Sequence, residues 1–193
     1  MKQYLKRKLL NINTQPNYWA DCWLYFIDGE DSSSKRQSRG RKLCINNSII
    51  DLMIQQGSIK SPVKGTTKDT YHVKIDVPPF IKWNIVNMCQ RFGINYSSLI
   101  SGNIPRRMKN NICNTDYGIF SIRRKMKLSC TCPDHLSGSY ICKHIYASLY
   151  KTGQEIQKKP ELFFLIFQIN IDNLQNLSSD KRLFPIKKVS KKD

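Results

Sequence analysis

Acid is scarce in this 193-residue chain: 14 Asp and Glu stand against 32 Lys and Arg, leaving a formal charge of +18. The acids are also scattered singly, and Asp51, Asp69, Asp76, Asp116 and Asp134 show none of the grouping that a metal-dependent nuclease core needs. Histidine is scarcer still, with three. No Gly-rich segment ends in Gly-Lys-Ser or Gly-Lys-Thr, so the phosphate cradle of a nucleotide hydrolase is missing. These gaps argue against an enzyme. Long apolar runs are lacking as well: the longest, residues 162–167, falls far short of the roughly 20 residues a bilayer span needs. No N-terminal stretch couples basic residues to an unbroken apolar run and a small-residue cleavage site. Cysteine, at seven, is odd in number, which does not suit a fully paired disulfide framework. The expectation is a soluble protein of a reducing, intracellular compartment, with no membrane partner and with thiols free to bind metal.

What the chain does have is length and positive charge. With 40% apolar residues it can bury one compact core and carry a small satellite module. A surface this basic attracts polyanions such as nucleic acid. A second source of the charge competes with that reading. Ile (23), Asn (15) and Lys (22) make up 60 of the residues, the bias of an AT-rich coding sequence, and codon drift supplies lysine without any selection for binding.

Along the chain, Lys2, Lys6, Arg7 and Lys8 form a basic arm. Residues 18–27 place Trp19, Cys22, Trp23, Phe26 and Ile27 at helical spacing, the pattern of a core-facing helix. Residues 29–40 are polar and serine-rich and read as an exposed linker. Residues 43–59 are apolar with few breakers, and residues 71–77 alternate apolar and polar side chains. Those two segments are expected to pair as strands across a turn around 61–68. Pro78 and Pro79 end the second strand. Ile81, Ile85, Met88 and Phe92 then recur at helical spacing up to Gly93, predicting a helix of about three turns. A shorter helical piece at 97–100 stops at Gly102 and Pro105, before the basic cluster Arg106, Arg107 and Lys109.

Residues 126–150 carry the chemistry. Met126, Leu128, Cys130 and Cys132 alternate with Lys127, Ser129 and Thr131, so an extended chain points both thiols to one face. Pro133 closes the strand, and residues 134–140 contain the Gly and Ser of a returning turn. Cys142 and His144 stand at the entrance of a short helix through Ile145 and Leu149, with Gly153 as its end signal. Zinc takes about four soft or borderline donors in a tetrahedron, and three thiolates with one imidazole are a usual structural set. The nine residues between the pairs close cheaply. Zinc binding in small fingers, worth roughly 10 to 16 kcal/mol at neutral pH, organises such a segment without a core of its own. All four positions are filled by protein, so the ion is structural and not catalytic. A redox pair wants two residues between its cysteines, which neither Cys-x-Cys nor Cys-x-His provides. His135 is the local competitor as fourth ligand. Cys22, Cys44, Cys89 and Cys113 stand singly and read as ordinary thiols.

The order Cys-x-Cys, nine residues, Cys-x-His and a helix resembles the SWIM zinc finger, and CTCPD with CKHIYASLY is close to its wording. The similarity extends over about residues 15–178: Trp19 and Trp23, the Arg39-Gly40-Arg41 triplet, the Gly57 turn, the strand from Tyr71, Trp83 in a helix, Gly102 to Pro105 and a helix at 160–167 follow the order of bacterial and cyanobacterial SWIM proteins. That resemblance implies Cys130, Cys132, Cys142 and His144 as metal ligands. It also implies a DNA-binding or protein-interaction role, many bacterial members being companions of Swi/Snf-type ATPases. This chain departs from such relatives by carrying Lys and Asn where they carry surface acids, and by a degenerate N-terminal region.

The fold expected is α+β, a small antiparallel sheet with helices and a zinc-stapled hairpin plus helix. Its parts are a basic arm, aromatic helix and polar linker at 1–42, an α+β region at 43–125, the finger at 126–153, and a C-terminal helix and basic tail at 154–193. The function expected is zinc-dependent contact with nucleic acid through Arg106, Arg107, Lys109, Arg123, Arg124, Lys125, Lys127 and Lys143, which folding would gather into one patch. The runner-up is an accessory subunit of a Swi/Snf-type ATPase, and a third reading is a remnant of a transposase. A bacterial cytoplasm or nucleoid fits the resemblance, and a plastid-encoded copy fits the codon bias together with the cyanobacterial likeness.

Overall fold

The computed structural model describes residues 17–28, 35–65, 69–80, 85–114 and 116–172. The basic arm, residues 29–34 of the expected linker, Trp83 and the basic tail lie outside the described residues. The fold is α+β. Helix α1 spans Tyr18–Asp28 and α2 spans Lys35–Ile45. Strands β1 (Met53–Gln55), β2 (Ser58–Lys64) and β3 (Thr70–Asp76) follow. Short helices α3 (Ile85–Arg91), α4 (Tyr96–Ile100) and α5 (Arg106–Ile112) then lead to a 3-10 turn at Ile119–Lys125. Strand β4 (Lys127–Cys130) and helices α6 (Pro133–Leu136), α7 (Lys143–Lys158) and α8 (Glu161–Ile166) complete the elements of the described residues.

The four strands form one antiparallel sheet in the order β1-β2-β3-β4. The alternation read in residues 71–77 is the β3 pleat, with Val73 and Ile75 buried and His72 and Lys74 exposed. Its partner differs from the expected one. Strand β2 begins at Ser58, and Ser61 lies inside it opposite Val73, so the hairpin turn falls wholly beyond Lys64. Ile59, Ile75 and Leu128 line up across the inner face, as do Ser61, Val73 and Cys130. Helix α7 packs on that face, and the hydroxyls of Ser61 and Ser148 meet there at 2.5 Å.

Helix α1 supplies the rest of the core through the stripe its spacing predicts: Trp19, Cys22, Trp23, Phe26 and Ile27 are all buried. Each indole must find a partner when it leaves water. Trp19 Nε1 donates to the Leu99 carbonyl at 2.7 Å and Trp23 Nε1 to the Leu149 carbonyl at 2.8 Å, the second bond tying α1 to α7. Phe163 and Phe164 of α8 pack on Trp19, and Phe167 packs on Trp23 and Phe26.

The polar segment read as a linker is, from Lys35 onward, helix α2 laid against α7. Two features that a composition reading cannot weigh hold it there. A Cβ at Gly40 would run into the Cβ of Tyr146 and the backbone of Lys143, so only glycine permits this approach. Beside it, the buried Asp28 accepts from Gln37 Nε2 at 2.7 Å, from the Tyr150 hydroxyl at 2.7 Å and from Arg41 Nη2 at 3.4 Å, joining α1, α2 and α7. The expected end of α7 is also displaced. Gly153 sits in mid-helix against Trp23 and Leu24, and the helix continues to Lys158. Of the helix expected between Ile81 and Gly93, α3 takes in Ile85–Arg91, residues 81–84 lying outside those described, and Phe92 is 54% exposed instead of facing the core. Cys22 and Cys113, read as solitary thiols, are joined as a disulfide with Cα atoms 6.5 Å apart, because α1 and the end of α5 pack together. Among the described residues no helix is long and apolar enough to cross a membrane.

Candidate metal centre

The finger is assembled by two local rules. Strand pleating turns Met126, Cys130 and Cys132 inward while Lys127, Ser129 and Thr131 face out. Pro133 then occupies the first turn of α6, where its missing N–H costs nothing, and Cys132 takes the position before it. Gly138, at φ 104°, reverses the chain. Cys142 precedes α7 in extended conformation and His144 lies in the first turn of that helix.

The four side chains converge. Cys130, Cys132, Cys142 and His144 are 3%, 1%, 0% and 2% exposed, and their ligand atoms all lie within 4.8 Å of one another. His144 Nδ1 is 3.9 Å from both Cys130 Sγ and Cys142 Sγ. A zinc tetrahedron with ordinary bond lengths has edges of about 3.6 Å between sulfur and nitrogen. The observed separations are close to such edges and long for direct hydrogen bonds. Backbone amides reach the sulfurs as well: those of Cys132, His135 and Ile145 bond to Cys130, Cys132 and Cys142 in turn. The imidazole lies against the Tyr71 ring, centroids 4.6 Å apart, and its Nε2 is buried with no hydrogen-bond partner among the described residues.

Charge is shared unequally among the three sulfurs. The Cys130 thiol bonded to Cys142 holds Cys142 well below the usual thiol range, while that same contact pushes Cys130 up. Burial pushes Cys132 up. The donor set, its burial and its spacing are consistent with one structural zinc ion. His135, the competing ligand, stands outside the cluster, its Nδ1 bonded to the Ser139 carbonyl at 2.9 Å.

The basic residues singled out by sequence occupy different places. Arg106 and Arg107 are exposed on α5, while the Lys109 ammonium lies 4.7 Å from the Tyr18 ring centroid. Arg123 turns toward α1, its Nη2 donating to the Ile27 carbonyl at 3.0 Å and its guanidinium lying over Phe26. Arg124 and Lys125 are exposed at the end of the 3-10 turn. Lys127 lies on the outer face of the sheet opposite Asp76. Lys143 lines a cleft with Lys35, Arg36, Arg39 and Asp134, and with none of the other seven.

Sequence reading missed two sets of cations. Lys60, Lys64 and Lys74 join Lys127 on the sheet's outer face, and the alternation of β2 and β3 contains the signal for them. Lys35, Arg36 and Arg39 were hidden because their segment resembles a linker in composition.

Comparison with known proteins agrees with the site. Residues 110–153 match the family model described as SWIM zinc finger, which takes in all four clustered residues. A protein of Mycobacterium tuberculosis, "Uncharacterized protein Rv2102", is 24% identical over 147 residues, covering 74% of this chain and 52% of the relative. The chain thus spans about half the length of the curated relative it matches. No solved structure matches it.

Proposed function

We propose that this zinc-finger protein contacts nucleic acid through a basic surface, as a binding protein and not an enzyme. The observation that carries the reading is the open face of the sheet. It presents Lys60, Lys64, Lys74 and Lys127, all exposed, with Asp76 as the acid opposite Lys127. Lys60 and Lys74 stand directly opposite one another, a like-charge pair offset in part within the sheet itself, since Lys74 Nζ lies 2.8 Å from Asp76 Oδ2. Beside Lys127, the 59% exposed Tyr140 donates its hydroxyl to the Met126 carbonyl at 3.4 Å. Arg124, Lys125, Arg106 and Arg107 are exposed and extend the charge. Binding through such residues is largely indifferent to sequence, since Lys and Arg on phosphate carry no base information. The nucleoid of a bacterium or a plastid would supply the nucleic acid.

The test is titration of a labelled duplex against the zinc-loaded protein at several salt concentrations. Each phosphate neutralised contributes a slope of about 0.9 to the fall of log affinity with log salt. Lys74, Arg124 and Lys127 changed to Ala should reduce that slope more than Lys187, Lys188 and Lys191 changed to Ala. Equal reductions would reduce the surface to nonspecific charge.

A second reading, an accessory subunit of a Swi/Snf-type ATPase, is favoured by Leu136, 73% exposed on the finger loop near the exposed Tyr140. On that reading the protein binds duplex weakly until the ATPase is added, and Leu136→Ala weakens the complex with the ATPase.

A further inference from the structure

We propose that the cleft between α2 and the finger is a phosphate-binding site, in which Lys35, Arg39 and Lys143 take backbone phosphates of nucleic acid and the Asp134–Arg36 pair sets the distance between the walls. The proposal rests on the nucleic-acid reading above and adds a second contact region to it.

The cleft has a volume of about 450 Å³ and is lined by Lys35, Arg36, Arg39, Asp134 and Lys143. Four cations thus face one carboxylate. That carboxylate is committed, its two oxygens accepting from Arg36 Nε at 3.0 Å and Nη2 at 2.9 Å in a bidentate fork. Counting the net negative charge of three thiolates around zinc behind the wall, the cleft remains positive.

Three features of the chain run against local stability and point to an anion. Lys35 and Arg39 are one helical turn apart, a like-charge pair that destabilises an isolated helix. Lys35 and Arg36 occupy the first turn of α2, which has no acidic residue, and cations there oppose the helix dipole. Lys143 repeats this at the start of α7, also without an acid in its first turn. Two helix N-termini of 11 and 16 residues therefore open on one cleft while carrying the sign of charge that their own dipoles disfavour. A phosphate between them offsets both dipoles and lies within reach of Lys35 and Arg39.

The metal site holds both walls in place. Asp134 follows Cys132 by two residues, and Lys143 stands between Cys142 and His144. Helix α2 is held against α7 by the close approach at Gly40 and by the Asp28 network. Geometry on both sides is thus fixed before any ligand arrives, which lowers the cost of binding.

The experiment uses the full zinc-loaded chain and a short fluorescein-labelled duplex, followed by anisotropy. Lys35→Ala with Arg39→Ala removes two phosphate contacts from exposed positions, and the salt slope should fall by about 1.8, with affinity near physiological salt weaker by about tenfold. Lys35→Arg with Arg39→Lys should retain the parent slope. Zinc content and thermal midpoint of both variants, matched to the parent, separate lost contacts from lost fold. Lys60→Ala with Lys74→Ala tests the sheet face independently. A slope lowered by the sheet variant and unchanged by the cleft variant overturns the cleft and leaves the nucleic-acid reading intact. A parent protein that does not bind duplex defeats that reading and the cleft with it. Tighter binding to phosphatidylserine vesicles than to duplex, abolished by the cleft variant, also overturns the proposal by assigning the site to lipid headgroups.

Discussion

Replacing Gly40 with alanine sets two effects of opposite sign against each other. Alanine gains about 1 kcal/mol over glycine in a helix interior, so Gly40→Ala should stabilise the protein if Gly40 lies in a linker or on a solvent-facing helix. In the structure the new methyl would meet the Cβ of Tyr146 and lie 2.7 Å from the Lys143 carbonyl oxygen. Both atoms are fixed to the backbone of α7 and neither can swing aside. Overpacking of this kind costs typically 1 to 3 kcal/mol, and the immovable neighbours put this site at the upper end. The net expectation is a loss of about 2 kcal/mol, or a midpoint lower by roughly 4 to 8 °C for a chain of this size. Gly153→Ala provides the comparison within α7. There the methyl would lie 3.1 Å from Trp23 Cδ1 and 3.3 Å from Leu24 Cδ2, tight but not overlapping, so propensity and crowding should nearly cancel. Thermal unfolding of both zinc-loaded variants decides the matter. A more stable Gly40→Ala protein would refute the packing of α2 on α7 and with it the cleft.

Metal analysis of purified protein should give one zinc per chain, and Cys142→Ser should lose the ion and unfold residues 128–150, since zinc supplies roughly 10 to 16 kcal/mol to such segments; an equally folded, metal-loaded variant would contradict the site. Thiol labelling of the loaded protein should spare Cys130, Cys132 and Cys142, with chelator exposing all three together, and reaction of Cys130 while zinc stays bound would break the assignment. Arg123→Ala should lower stability by about 1 to 2 kcal/mol through the lost bond to the Ile27 carbonyl and the lost Phe26 contact, and exposed Arg124→Ala should not, as urea denaturation would report. Burial raises the hydroxyl pKa of Tyr18 and Tyr150. The unfolded chain therefore releases those protons first, and stability present at neutral pH is lost as pH climbs past the ordinary tyrosine value of about 10. Absorbance of tyrosinate should show these two ionising together with unfolding, and free titration of both in the folded protein would count against their burial.

The four metal ligands were legible because everything that defines them is local. Pleating puts Cys130 and Cys132 on one face, Pro133 and Gly138 turn the chain, and a helix start presents Cys142 and His144; each follows from a few adjacent residues. The aromatic face of α1 and the pleat of β3 were legible for the same reason, since period and burial coincide there. What lay outside local reach was decided by pairs distant in sequence. Gly40 is a breaker by composition, yet it lies within a helix where Tyr146 leaves no room for a side chain, and Gly153 looks like a stop until Trp23 fills the space beside it. Cys22 and Cys113 stand 91 positions apart, so no spacing rule joins them. The charge was countable from composition, but its distribution was not. Strand pairing sets Lys60 beside Lys74, α2 brings Lys35 and Arg39 to Lys143, and packing turns Arg123 away from solvent toward α1. By itself the sequence determined a metal site, through short-range geometry and donor chemistry; where the positive charge faces was left to the tertiary structure, because long-range packing alone decides which side of each helix and strand remains in water.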